Sequence, residues 1–145
     1  MASAMSNSNT DFNSAIIEEF HANCGHVGGP FEDSPLLLLH HTGARSGKAR
    51  INPLGYLADR DRYVIVASNG GSPTNPAWYY NLVAHPEVII EVGIDTIRAV
   101  ASEATGKERE RLFQAMAVRA AQIVEYQTKT DRVIPVIVLI PVGND

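Results

Sequence analysis

Three cationic side chains lie close together in one short segment of the sequence. Arg45, Lys48 and Arg50 fall within six residues, in the segment TGARSGKAR, together with two glycines and a serine. The backbone N–H groups of a glycine-rich loop can converge on an anion, and arginine adds bidentate contacts to phosphate or carboxylate. The segment is not a Walker loop, because it lacks the GxxxxGK[ST] spacing and leads into a predicted strand. It therefore indicates either a binding site for a phosphate or carboxylate ligand or a solvated basic turn.

A second candidate segment is SNGGSPTNPAWYYNL, residues 68–82, which combines a glycine pair, two prolines and clustered aromatic residues. The stretch Ser68-Asn69-Gly70-Gly71 follows an apolar run, and the missing side chains of glycine permit close approach of the backbone to a flat ligand. Trp78 precedes Asn81 by three positions, so both side chains can point from one helix face toward that ligand. The alternative is that Trp78 is a core anchor of the helix.

Other side-chain chemistry is less well supported. His40 and His41 are adjacent in a predicted strand, point to opposite faces and so cannot bind one metal ion together. The sequence has no HExxH, CxxC or carboxylate cluster, and we expect no metal site. Ser68 lacks the GxSxG elbow of a hydrolase, and Cys24, the single cysteine, is more typical of a small buried side chain than of a reactive thiol. Tyr126 is either a proton donor or the amphipathic end of a helix.

Hydrophobic periodicity predicts the elements that hold these segments. Helices are expected over residues 11–23, 76–84 and 106–127, and strands over residues 36–41, 50–58, 63–68, 87–92, 96–103 and 133–142. Short turns between adjacent strands predict a mainly antiparallel sheet. Six apolar strands in a short chain favour a small barrel, because closure removes exposed edges. The predicted fold class is α+β, with helices flanking a barrel.

Specific residues are predicted to begin, end and bury the helices. Asn75 is expected to cap the second helix with Pro76 at its first position, and Thr105 with Glu108 forms a capping box for the third. Cys24-Gly25 is expected to end the first helix. The predicted buried faces are Phe12, Ile16, Ile17 and Phe20 on the first helix and Leu112, Phe113, Met116, Ala120, Ile123 and Val124 on the third.

Composition restricts the class of protein. The chain has 145 residues, 45% of them hydrophobic, which predicts a single globular domain over residues 11–145 behind a disordered tail at residues 1–10. The net charge of −4 argues against nucleic-acid binding by general phosphate neutralisation. No apolar run approaches the ~20 residues of a membrane-spanning helix, and the start MASAMSNSNT lacks the pattern of a secretory signal. A cytoplasmic location is expected.

The candidate segments, with their neighbours, resemble the deazaflavin-dependent nitroreductase family. The resemblance is carried by IIEEFHANCGHVGGPFEDSPLLLLHHTGARSGKARINPLGY, ASNGGSPTNPAWYYNLVAHPEV, ATGKERERLF and EYQTKTDRVIPVIVL, and it extends from about residue 15 to 141. It implies a split β-barrel, similar to flavin-binding barrels, that uses the reduced deazaflavin coenzyme F420. It also implies hydride transfer to quinones or, in some branches, to nitro-aromatic compounds.

The resemblance implies a role for each candidate segment. The basic loop, through Arg45, Ser46 and Arg50, would hold the phosphate of the coenzyme and the start of its acidic glutamate tail. The segment Asn52-Pro53-Leu54-Gly55 and the strand end Val66-Ala67-Ser68-Asn69 would line the deazaflavin ring. In this interpretation the glycines of the second segment admit the ring to the backbone, and its aromatic residues enclose it.

The resemblance also points to a helix that covers the coenzyme and to two hydroxyl groups. Ala77, Trp78 and Asn81 match the covering helix of the family. We predict that the hydroxyls of Ser68 and Tyr126 stabilise the charge that develops on the acceptor oxygen. No conventional acid–base pair is then required, because the cofactor carries the difficult chemistry.

The chain departs from the family pattern at several positions. Ala44 and Asn69 stand where the family commonly has basic residues, which is expected to weaken binding of the coenzyme tail unless Lys48 compensates for the lost charge. The nitroreductase branch carries additional tyrosines on the long helix, where Ala120 and Ile123 stand here, and Tyr126 alone keeps an aromatic hydroxyl. Reduction of quinones is therefore favoured over reduction of nitro compounds.

Two alternatives remain at this stage: a carrier that binds deazaflavin without turnover, and an FMN-dependent reductase of the same barrel type. A nicotinamide cofactor is not expected, because no GxGxxG follows a strand. The expected partners are a small-molecule acceptor and no nucleic acid, in a monomer or homodimer. Contact with the inner face of the plasma membrane is expected to be weak at most, because the polar face of the first helix is acidic.

Overall fold

The computed structural model describes residues 13–28 and 35–142, so the predicted tail at residues 1–10 lies outside the described residues. The helices are α1 (13–22), α2 (Ala77–Ala84), α3 (Gly106–Arg119) and α4 (Gln122–Thr128). The strands are β1 (Leu36–Thr42), β2 (Ala49–Gly55), β3 (Leu57–Asp59), β4 (Arg62–Val66), β5 (Glu87–Val92), β6 (Asp95–Glu103) and β7 (Val136–Pro141). A short 3₁₀ turn, Asn69–Gly71, lies between β4 and α2. None of the described helices is long and apolar enough to cross a membrane.

The seven strands form one antiparallel sheet in the order β2-β1-β5-β6-β7-β4-β3. The two ends of this order are consecutive in the chain, because β2 and β3 are separated only by Tyr56. The sheet therefore curls until its two edges lie near each other. The predicted α+β class and antiparallel pairing are confirmed, whereas the predicted number of six strands is wrong.

The additional strand arises where the predicted strand over residues 50–58 divides. Its first part pairs with β1, from Ala49 opposite Thr42 to Gly55 opposite Leu36, and its last part pairs with β4. The chain cannot continue straight at Tyr56, because the strand before it, β2, and the strand after it, β3, lie at opposite ends of the sheet. The last strand is also shorter than predicted and begins at Val136, one residue after Pro135.

Strands β1 and β7 are apolar on both faces because other parts of the fold cover both faces. Leu37 and Leu39 of β1 are fully buried in the main core beneath the curled sheet, together with Trp78 of α2. Leu36 and Leu38 point to the opposite face and are buried beneath α1. Strand β7 is likewise covered on both faces, since α3 and α4 pack over β4 and β7 through Leu112, Phe113, Met116 and Ile123. A strand covered on both sides is expected to be continuously apolar.

Helix α1 packs on the sheet as predicted. Ile16 and Phe20 are buried, whereas Phe12 lies outside the described residues. The helix ends where the N–H of Gly25 bonds the carbonyl of Phe20 at 2.8 Å and Cys24 takes a left-handed conformation, with φ 56°. The prediction that Cys24 is buried is wrong, because this turn directs its side chain to solvent.

The long helix predicted over residues 106–127 is two helices. Ala120 leaves the helical region, with φ −136° and ψ 74°, and α4 begins anew at Gln122. The change of axis keeps Ile123 buried but leaves Val124 47% exposed, so the prediction of one continuous buried stripe is wrong at Val124.

One of the two predicted N-cap positions, Thr105, is confirmed, but neither predicted capping hydrogen bond forms. Thr105 occupies the N-cap of α3 without a side-chain hydrogen bond, and Glu108 instead accepts bonds from Arg62 and Arg111. Helix α2 begins at Ala77 with Pro76 at the N-cap, since the side chain of Asn75 is bound elsewhere, by Arg132.

Candidate active site

A cavity of about 590 Å³ opens between the end of β2 and the end of β4. Helix α1 borders it on one side, and the junction of α3 with α4 borders it on the other. Six of the residues predicted from the sequence contribute to its wall: Pro53, Leu54, Gly55, Val66, Ser68 and Tyr126. The structure thus brings together parts of three segments that are far apart in the chain.

The two residues predicted to supply hydroxyl groups, Ser68 and Tyr126, line the same cavity. Ser68 lies two residues after the end of β4, and Tyr126 lies in the second turn of α4. Ala120 and Ile123, which stand where the nitroreductase branch carries tyrosines, also line the cavity. Ala120 and Ile123 make part of the wall near Tyr126 apolar, while Arg119 and Gln122 make the rest of it polar.

Four polar cavity residues were not predicted as site residues from the sequence: Asn13, Tyr56, Arg119 and Gln122. Tyr56 packs edge-on against Tyr63, with ring centroids 5.6 Å apart. Burial raises the pKa of the Tyr56 hydroxyl and Tyr63 raises it further, while Arg119 acts in the opposite direction. The phenol is therefore protonated at neutral pH and can donate a hydrogen bond. Arg119 is the one charged side chain among the described residues that line the cavity.

Arg132, also not predicted, fixes the segment that carries Ser68. Its Nη2 donates to the carbonyl of Ser68 at 2.7 Å, and its Nη1 donates to the carbonyl of Ala67 at 3.2 Å. Its Nε donates to the carbonyl of Ser72 at 2.9 Å, and Nη1 also reaches Asn75 Oδ1 at 2.6 Å. One guanidinium group thus holds four acceptors of the loop between β4 and α2.

Gly71 has a packing role that the sequence did not predict, and the predicted approach of a ligand ring to the glycines stays a prediction. A Cβ on Gly71 would lie 3.0 Å from the carbonyl oxygen of Tyr126 and 3.1 Å from the Cβ of Lys129, whereas a Cβ on Gly70 would meet nothing within 4 Å. Neither glycine lines the cavity. Gly71 therefore admits helix α4, and with it Tyr126, to close contact with the 3₁₀ turn.

This packing predicts a difference in stability between two neighbouring substitutions. Both glycines have positive φ, +64° at Gly70 and +82° at Gly71, so alanine is strained at either position. We expect Gly70→Ala to lower the free energy of unfolding by about 1 kcal/mol and Gly71→Ala by about 3 kcal/mol, because only the second also displaces α4. Urea unfolding of both variants measures the difference. Equal losses would contradict the role of Gly71.

The basic loop lies at the other end of the β1–β2 hairpin. The N–H of Gly43 bonds the carbonyl of Lys48 at 2.8 Å, which closes the loop. Arg45, Ser46 and Arg50 are all exposed. Within residues 13–28 and 35–142, neither arginine forms an ion pair.

The remaining predicted site residues lie outside the cavity wall. Asn52 and Asn81 are both bonded to the buried ring of His41. Ala67 is fully buried, and Trp78 is 7% exposed and part of the main core, which favours the alternative that it anchors the helix. Two others are exposed: Ala77, and Asn69, whose side chain donates to the carbonyl of Thr74.

Three histidine side chains outside the cavity wall are paired with other polar side chains. His40 and His41 do point to opposite faces: His40 contacts Glu91 at 2.5 Å, and His41 contacts Asn52 at 2.8 Å. His21 of α1 also contacts Glu91, at 2.8 Å. Among the described residues there is no group of three His, Cys, Asp or Glu side chains arranged to hold a metal ion.

Comparison with known proteins shows the family to which the chain belongs. Residues 15–141 match the family model described as F420H(2)-dependent quinone reductase. An F420H(2)-dependent quinone reductase of Mycobacterium tuberculosis is 43% identical over 108 residues, which cover 72% of each chain.

Two solved structures are also similar. An F420-H2 dependent reductase is 40% identical with a TM-score of 0.68, over 72% of this chain and 93% of that one. A chain described as a domain-swapped dimer is 35% identical with a TM-score of 0.70, over 96% of this chain and 99% of that one. The family model spans almost all of the described residues, and the chain belongs to the F420H(2)-dependent quinone reductase family.

Proposed function

We propose that this protein binds reduced F420 and catalyses hydride transfer from it to a quinone. The observation that carries the proposal is the cavity between β2 and β4, whose lining is mostly apolar and includes three hydroxyl-bearing residues, Tyr56, Ser68 and Tyr126. Such a cavity accepts flat apolar rings and offers hydrogen-bond donors at a few positions on its wall.

The residues present suit the two chemical parts of F420. Pro53, Leu54 and Val66 supply apolar contacts for a ring system. Arg45 and Arg50 supply cations for the phosphate and the acidic tail. Arg50 precedes Leu54 by four residues along β2, a distance of about 13 Å at the usual rise per residue. This separation favours a coenzyme whose anionic tail extends well beyond its ring.

The bound coenzyme supplies the hydride, and the protein contributes orientation and electrostatic stabilisation. Negative charge develops on the acceptor oxygen as the hydride arrives. The hydroxyls of Ser68, Tyr126 and Tyr56 can donate hydrogen bonds to that oxygen, and Arg119 adds positive potential at the cavity. Donors that are already in position stabilise the charge without reorganisation. Solvent can deliver the final proton, so no side chain has to lose one.

Quinones are the favoured acceptors. The positions of Ala120 and Ile123 on the cavity wall leave an apolar surface where the nitroreductase branch carries tyrosines. An apolar wall suits the hydrocarbon rings of a quinone and excludes water from the reacting atoms. Reduction of nitro-aromatic compounds remains the secondary activity of this proposal.

Removal of the cavity hydroxyls tests the proposal. We expect Ser68→Ala and Tyr126→Phe each to lower kcat for menadione by about tenfold or more, because one preorganised donor contributes strongly to charge stabilisation. The dissociation constant of F420, measured by fluorescence, should change little. Tyr80→Phe is the matched control, since Tyr80 is 50% exposed on α2. A double variant with wild-type turnover would show that both hydroxyls only line the pocket.

The same assay separates the two alternative functions. A carrier would bind F420 but leave it reduced when menadione is added, and an FMN-dependent reductase would bind FMN with the higher affinity. The curled sheet, whose edges β2 and β3 meet at Tyr56, is compatible with a split barrel. A homodimer is an expectation supported by the similar domain-swapped chain, and light scattering tests it. Weak membrane contact remains an expectation.

A further inference from the structure

A buried histidine lies between the basic loop and the rest of the fold. His41 is 4% exposed, and both of its ring nitrogens are bonded. Its Nε2 is 2.8 Å from Asn52 Oδ1, and its Nδ1 is 3.1 Å from Asn81 Nδ2. Asn81 Oδ1 in turn accepts a bond from the N–H of Ala44 at 2.8 Å. These bonds form a continuous path from β2 through β1 and α2 to the backbone of the loop.

The direction of each bond in this path is fixed by the backbone. The N–H of Ala44 can only donate, so the oxygen of the Asn81 amide must face it. The amide NH₂ then faces His41, whose Nδ1 must accept and therefore carries no proton. The proton lies on Nε2 and is donated to Asn52 Oδ1. The path is complete only with a neutral His41.

We propose that His41 is a positioning residue for coenzyme binding: in its neutral form it holds Ala44, and so the adjoining Arg45, in the orientation that binds the anionic part of the ligand. The inference rests on the proposed function. A loop held in its binding conformation loses less conformational entropy when the ligand binds, so affinity is higher.

Protonation of His41 would break the path. A second N–H at Nδ1 would face the NH₂ group of Asn81, and rotation of that amide would only move the conflict to the N–H of Ala44. Burial has the largest effect and lowers the pKa of His41, while the bond to Asn52 raises it. Arg50, its cross-strand partner on β2, and His40 on β1 lower this pKa further.

The lowered pKa sets the direction of the pH dependence. The unfolded chain takes up the proton near pH 6.5, the ordinary pKa of histidine, whereas the folded chain takes it up only at lower pH. The stabilising contribution of His41 is therefore complete above about pH 6.5 and is lost as the pH falls below that value. In the folded protein the hydrogen-bonded path to Ala44 persists below pH 6.5, and it is lost when His41 takes up its proton.

Hydrogen exchange at the Ala44 amide tests the hold directly, without coenzyme. We expect His41→Gln to speed this exchange at least about tenfold and to raise the dissociation constant of F420 by about tenfold, because a buried hydrogen-bonded path is lost. The kcat at saturating F420 should not change. His40→Gln is the matched control, since His40 contacts Glu91 on the opposite face, and it should leave both quantities unchanged.

A second variant, Asn81→Asp, should reverse the pH dependence of the protection of the Ala44 amide. In Asn81→Asp one carboxylate oxygen can still accept from Ala44, but the other requires a proton on His41 Nδ1. The pKa of His41, followed by NMR of its ring, should then rise above the ordinary value. Protection of the Ala44 amide should increase on acidification, whereas in the wild-type protein it decreases. A purely structural role of His41 would not reverse this pH dependence.

The outcomes separate this inference from the proposed function. Unchanged Ala44 exchange in His41→Gln, or a pH dependence of the same sign in Asn81→Asp, would overturn the inference. If His41→Gln does not fold, Asn81→Asp and the pH dependence of the wild-type protein still decide it. Failure of the wild-type protein to bind F420 would refute the proposed function, while Ala44 exchange would still show whether His41 holds the loop.

Discussion

Replacement of Arg132 by methionine is expected to lower the free energy of unfolding by about 3 kcal/mol, as large a loss as that expected for Gly71→Ala. The substitution keeps most of the side-chain length but removes the guanidinium that donates to Ala67, Ser68, Ser72 and Asn75. Hydrogen bonds from a charged donor are among the stronger polar interactions, and four acceptors lose their partner together.

The same substitution is expected to impair catalysis more than the loss of stability alone. The carbonyl of Ser68 is one of the four acceptors, so its release allows the end of β4 and the Ser68 hydroxyl to move. A displacement of about 1 Å at a reacting group can reduce the rate about 100-fold. We therefore expect kcat for menadione to fall by about 100-fold at a temperature where the variant is fully folded.

Two matched variants control for charge and for chain length. Arg98→Met removes the same charge from an exposed position on β6 and should leave both the unfolding midpoint and kcat unchanged. Arg132→Lys keeps the charge but offers a compact ammonium that cannot span four acceptors, so it should fall between the wild-type protein and Arg132→Met. Urea unfolding and steady-state kinetics measure both effects. An unfolding midpoint of Arg132→Met equal to that of the wild-type protein would show that Arg132 does not stabilise the loop between β4 and α2.

Local sequence patterns predicted the parts of this site that depend on neighbouring residues. The apolar runs and short turns predicted antiparallel strands, and the periodicity of the first helix identified Ile16 and Phe20 as buried. The position of Ser68 directly after an apolar strand placed a hydroxyl at a strand end, where the structure has the cavity. Each of these inferences uses information contained in a few adjacent residues.

The features that were missed depend on contacts between distant parts of the chain. Arg132 binds carbonyls more than 60 positions earlier in the sequence, and Asn81 contacts His41 from 40 positions away. Neither pair forms a local motif. The sequence pattern predicts Tyr56 as the interior of one strand, because the change of pairing partner from β1 to β4 becomes visible only in the complete sheet. Val124 was assigned to the wrong face for a similar reason, the break at Ala120.

Replacement of Arg45 and Arg50 by alanine is expected to raise the dissociation constant of F420 by about 100-fold, because each arginine contributes a charge-assisted contact worth about tenfold in affinity. Both side chains are exposed and form no ion pair with the described residues, so they are free to bind an anion. Binding to the wild-type protein should weaken as salt is added, and this dependence should be smaller in the double variant.

The double variant should lose affinity for F420 without losing stability or turnover at saturating coenzyme. Removal of two exposed cations from one loop relieves their mutual repulsion, so the unfolding midpoint should stay the same or rise slightly. Once F420 is saturating, kcat for menadione should match the wild-type value, because neither arginine lines the cavity. Arg98→Ala changes a charge on β6 instead and should leave the affinity unchanged. Equal affinity of the double variant and the wild-type protein would show that the loop is a solvated turn and that the coenzyme phosphate is bound elsewhere.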